Sequence, residues 1–186
     1  MDFLGQFHPQ IVHTPVALLI FSALFAIAGR LFDREWVRKA SVLLLVFGFL
    51  GSFAAVRSGH FAHEVPEREQ GVSEEAIDEH GERGERTMYL AGGALAAVIV
   101  ASRLTGQAAT AVGGLALVLQ LLAAVAVGFT GHAGGKLVYE HGANVRVGGV
   151  LVKHPGAREE RELPGGAGAD TLTIQTEADE HKGHQH

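Results

Sequence analysis

The sequence predicts an all-α integral membrane protein: an antiparallel four-helix transmembrane bundle with a small extramembrane C-terminal hairpin and a disordered tail. Three observations lead there. Hydrophobic residues make up 47% of the 186 residues. They collect in four long runs rather than the short periodic groups of a soluble domain. The polar residues collect between and after the runs, and the connections alternate short, long, short. The formal charge of −5 supplies no basic footprint for nucleic acid. The absence of cysteine excludes disulfides, thiolate clusters and c-type haem, whose attachment needs Cys-x-x-Cys-His.

A membrane helix needs about 20 apolar residues to cross roughly 30 Å of hydrocarbon. The first run, residues 11–32, is long enough. It is read as a retained span rather than a removable signal, because Asp2 and no Lys or Arg precede it. The second run, residues 40–56, extends as helix to about His60. Residues 87–104 form the weakest span, diluted by Gly92, Gly93 and alanines, and residues 108–130 form the fourth, with Gln120 near its middle. An unpaired amide in hydrocarbon is costly, so Gln120 is expected to bond a neighbouring helix. Gly48, Gly51, Gly92, Gly93, Gly113 and Gly114 are expected to let helices approach closely.

Tight loops at 33–39 and 105–107 make their flanking spans antiparallel neighbours. The long connection, residues 58–86, contains an acidic stretch expected to be helical, capped by Ser73 and running into the third span. Beyond the fourth span, alternation across 145–152 around Gly148-Gly149 predicts a hairpin. Residues after about 155 are polar and glycine-rich and are expected to be disordered. The chain thus divides into a membrane domain, 1–147, and a polar extension, 148–186.

Arg30, Arg34, Arg38, Lys39 and Arg103 flank the short loops, which places those loops in the cytoplasm by the positive-inside rule. Both termini and the long connection then face outward, the periplasm of a bacterial inner membrane. All 11 histidines fall on that side. That side also holds nearly all the polar sequence, so the informative part is narrower. His13, His60, His80 and His132 come from four different helices at one depth. Neutral imidazole is the commonest metal ligand, and facing helices of a bundle hold haem or metal in this way.

A bis-histidine haem is the leading cofactor, with His13, His80, His132 and His141 the candidate ligands and Arg57 a partner for a propionate. A divalent metal ion is the alternative, held by His60, His63, Glu64 and His8; His60 and Glu64 have helical i, i+4 spacing. A structural subunit whose histidines line a polar surface is the third reading. No nucleophile–base arrangement, phosphate loop or dinucleotide fingerprint is present.

The opening FHPQIVHTPVALLIF and the later GGKLVYEHGANV resemble a membrane family called domain of unknown function 2231. Its members begin with His-Pro followed by Val-His-Phe-Pro-Ile-Ala, matched here by His8, Pro9, Val12, His13 and Pro15, with Thr14 in place of Phe. Their last span is followed by Gly-Gly-x-Leu-Val-Tyr-x-His-Gly, matched by Gly134, Gly135, Leu137, Val138, Tyr139, His141 and Gly142. The resemblance covers about residues 7–147. It implies a four-span bundle and, from the redox modules fused to such proteins, an association with electron transfer. By similarity to small four-helix membrane cytochromes, it also implies b-type haem. His80 stands where the family carries a histidine ahead of the third span, whereas His60 and His63 depart from the family's Gly-x-x-Asp type ending. With no fused redox domain here, the electron partner is expected to be a separate protein.

Overall fold

The computed structural model describes Gly5, residues 7–62 and residues 72–151. His63 and Glu64 lie outside the described residues, as do the tail and its histidines. The described chain is all-helical apart from one small ladder. Helix α1 spans His8–Ile11 and α2 spans His13–Leu31; α3 covers Glu35–Ala62, α4 Glu74–Ala101 and α5 Gly106–Tyr139. The first span is nearly continuous from His8. It is interrupted at Val12, where Pro15 has no N–H to offer the Ile11 carbonyl.

Helix α3 begins five residues before the predicted span, because the turn that precedes it is only residues 32–34, with Asp33 at φ 46°. The acidic stretch and the third apolar run form one 28-residue helix. Ser73 caps it, its Oγ accepting the Ala76 N–H at 3.2 Å, and i, i+4 pairs Glu79–Arg83 and Glu82–Arg86 line its exposed first half. These pairs let the helix tolerate Gly81 and Gly84.

Length and apolarity qualify three helical segments to cross a membrane: His8–Leu31, Glu35–Ala62 and Gly106–Tyr139. Helix α4 is not among them. Its uncharged part, from Thr87 to Ala101, rises only about 22 Å at about 1.5 Å per residue.

Helix α2 packs on α3 and α5, and α4 packs on the same two. The centre is built from Leu19, Leu45, Ala91, Ala94, Ala123 and Val127. A Cβ on Gly48 would lie 2.7 Å from the Leu19 side chain, and one on Gly92 would lie 3.0 Å from Phe49, so both glycines set helix spacing. Gly113 and Gly114 do not, since nothing lies within 4 Å of a Cβ there.

The interior is small and polar, and the exterior large and apolar. Ser22, Ser41, Ser52, Ser58, Thr87 and Gln120 are buried, whereas Phe21, Leu24, Phe47, Phe53, Val125 and Phe129 are each more than half exposed. That distribution suits a lipid solvent, in which apolar side chains gain nothing by turning inward. The expected Gln120 bonds are present: its Nε2 donates to Ser22 Oγ at 3.1 Å and Ser41 Oγ at 3.3 Å. The two serines in turn donate to each other's carbonyls.

After α5, Gly142 at φ 65° reverses the chain, its N–H on the Val138 carbonyl. Ala143 and Leu137 then pack on Val72 and Ile77 at the start of α4. The predicted hairpin follows: β1 (Arg146–Val147) pairs antiparallel with β2 (Val150–Leu151). Gly148 and Gly149 supply the two positive-φ residues of a primed turn.

Candidate functional site

The two motif segments converge at the end of the helices opposite the short loops. Phe7 opens α1, its carbonyl accepting from the Gln10 and Ile11 N–H groups, and Pro9 fits the first turn. This start sets the His8 ring against Gly59 of α3, where an added Cβ would lie 3.3 Å from His8 Cε1. His8 Nδ1 lies 2.9 Å from Ser58 Oγ. The single hydroxyl proton of Ser58 goes to the Ala55 carbonyl at 3.0 Å. With that proton so placed, its oxygen accepts from His8 Nδ1–H.

His80 arrives from α4 and lies over Gly134 of α5, where an added Cβ would be 2.9 Å from His80 Cε1. Its Nδ1 is shielded from solvent. The His8 and His80 rings meet edge to face, with centroids 6.3 Å apart and planes at 80°. Two imidazoles on opposite sides of one metal, each through a bond of about 2 Å, have ring centres about 6 Å apart. The observed spacing has that value, and rotation about the metal–nitrogen bonds leaves the interplanar angle open. Two turns along α4 from His80, and one turn back along α5 from Gly134, Thr87 and Thr130 join the same two helices with their hydroxyl oxygens 3.0 Å apart.

The other candidates are placed differently. His13 is exposed and donates Nδ1–H to the Pro9 carbonyl at 2.6 Å. His60 is exposed and donates likewise to Val56 at 2.8 Å. Arg57 and His132 are exposed, and His141 is half-buried beside the chain reversal. Among the described residues, no three His, Asp or Glu side chains gather as a metal-binding group.

Helix rotation accounts for the pairing. His132 precedes by two residues the glycine that seats His80, which is about 200° around a helix, so it points away. Sequence reasoning had His8 and His80 in separate candidate sites. The structure uses Gly59 and Gly134 each to seat an imidazole. The signal available in the sequence was Ser58 and Gly59 together, a hydroxyl next to a gap.

The apolar exterior and the three qualifying segments define a helical membrane protein that sits in a lipid bilayer. The family model described as predicted membrane protein (DUF2231) matches residues 6–147, and the chain belongs to that family. No curated protein and no solved structure matches the chain.

Proposed function

We propose that this protein is a membrane-bound b-type haem protein of electron transfer, in which His8 and His80 would hold the haem. The observation that supports the reading is the pair of neighbouring imidazoles, their centroids 6.3 Å apart and their planes nearly perpendicular, each seated on a glycine of a different helix. Donor count favours haem over a bare ion. A porphyrin brings four equatorial nitrogens and needs two axial ligands, whereas zinc asks its protein for three or four. When bound, the iron would supply reversible one-electron chemistry. The chain's own part is orientation. Ser58 holds the His8 ring and its tautomer through Nδ1, the outer support that ligating histidines characteristically need. Gly59 and Gly134 fix how far each ring stands from its helix.

In this reading the four long helices form an antiparallel transmembrane bundle, with α4 as the shortest span. The basic short loops face the cytoplasm and the imidazole pair lies near the outer face of a bacterial inner membrane, where a separate redox protein is the partner. Absorption spectra and metal analysis of the detergent-purified full chain test the proposal. A Soret band with reduced α and β bands is expected, lost in His8→Ala and in His80→Ala but kept in His132→Ala. Near-perpendicular imidazole planes also predict a strongly anisotropic low-spin ferric EPR signal. Stoichiometric zinc or copper without a Soret band would replace the haem by a bare metal ion.

A further inference from the structure

At the opposite end of the helices, next to the short loops, α2, α3, α4 and α5 line a half-open cavity of about 170 Å³. Its polar lining is Arg30, Arg38, Ser41 and Gln120; the remaining lining residues are Ala, Val and Gly, and no carboxylate lines it. The volume holds several waters, at about 30 Å³ each, or one phosphate group. We propose that this cavity binds the phosphate of an anionic phospholipid in the leaflet that faces the short loops. The site is independent of the haem reading.

The two guanidinium groups are held in place rather than stretched toward water. Arg30 donates across the bundle to the Gly113 carbonyl at 2.9 Å and back to Ala26 at 3.2 Å. Arg38 donates to the Gly29 carbonyl at 3.1 Å and to Asp33 at 2.8 Å. Among the described residues, these bonds occupy two of the five N–H donors of each fork. At the floor, the hydroxyl protons of Ser22 and Ser41 and the Gln120 amide are committed to one another. The donors left to a ligand are therefore cationic, and they suit an oxyanion with several acceptor oxygens.

Charge and depth select the lipid. Arg30, Arg34, Arg38, Lys39 and Arg103 surround this end against Asp33 and Glu35. Both acids are already paired, Asp33 with Arg38 and Glu35 with Lys39, each at 2.8 Å. An anion between Arg30 and Arg38 relieves their mutual repulsion. The arginine end of the cavity, at Arg30, Arg38 and Ala101, lies where the apolar stretches of the helices end, which is headgroup level, and Gln120 marks its deeper end. Anionic headgroups draw juxtamembrane basic residues with an affinity gain of about fivefold for each.

The delipidated full chain in neutral detergent is titrated with phosphatidylglycerol, phosphatidylcholine and inorganic phosphate, and bound lipid is counted by native mass spectrometry. One phosphatidylglycerol per chain is expected in preference to phosphatidylcholine, weakened about fivefold in Arg30→Gln and again in Arg38→Gln. Equal retention of the two lipids, or unchanged retention in both variants, overturns the site. Full displacement of the lipid by millimolar inorganic phosphate overturns the lipid as its source. If Arg30→Gln does not fold, Arg30→Lys keeps the charge and loses the fork. Unchanged lipid preference in Arg30→Lys and Arg38→Gln then also overturns the assignment.

Discussion

Replacing Gly134 by alanine separates the imidazole pair from the stability of the helix beneath it. In an exposed helix interior, glycine to alanine stabilises by about 1 kcal/mol. Gly131, one turn earlier with nothing within 4 Å of an added Cβ, should show that gain undiluted. At Gly134 the added Cβ would sit 2.9 Å from His80 Cε1. Carbon atoms at rest stand about 3.5 Å apart or more, so the ring must retreat by about 0.6 Å. If it cannot, overpacking costs about 1–3 kcal/mol. Either way the ring leaves its place opposite His8, and a ligand constellation tolerates only about 0.5 Å. The assay compares Gly131→Ala with Gly134→Ala by thermal unfolding in detergent and by haem content per chain. Gly131→Ala should be more stable with full cofactor. Gly134→Ala should gain less stability and hold haem at least tenfold more weakly, with an altered EPR signal. Wild-type haem content and EPR in Gly134→Ala would refute the idea that Gly134 positions a ligand.

Ser58→Ala removes the acceptor for His8 Nδ1–H and should weaken haem binding about 10–100-fold, measured by haem transfer to apomyoglobin. Gln120→Leu deletes two donated bonds but leaves Ser22 and Ser41 bonded to each other's carbonyls. Its cost should therefore be only about 0.6–2 kcal/mol in a detergent unfolding titration, and a larger loss would show the amide has a further role. Gly48→Ala drives a Cβ to within 2.7 Å of Leu19. It should lower stability by about 1–3 kcal/mol without changing the haem spectrum, since the contact lies deep in the helix interface.

The features legible in the sequence were those fixed by local chemistry or by solvent. Ser73 precedes an acidic helical stretch, and the Gly148-Gly149 pair can take up positive φ between short alternating segments. Gln120 inside hydrocarbon must find a bond. Hydropathy located the helices, and it marked the third run as the weakest. That α4 runs unbroken from its charged half into its apolar half was legible from the Ser73 cap and the acidic stretch rather than from hydropathy, because the Glu–Arg pairs that support that half contribute nothing to an apolar count. The imidazole pairing was half legible. Depth along the bundle brought the right helices together, but rotation about each axis decides which rings meet. His13 follows His8 by five residues, about 140° around a helix. A reading based on depth treats the two alike, whereas packing of His8 on Gly59 separates them.

Helix α5 has 34 residues and is thus about 51 Å long, against a hydrocarbon layer of about 30 Å. With its start held at one interface, roughly four turns project past the other, and Gly134 belongs to those turns. The His80 ring seated there then stands above the oily layer. In the proposed haem reading, a water-soluble electron carrier arriving from that side would meet it directly, whereas one dissolved among the acyl chains would have to climb to the rim.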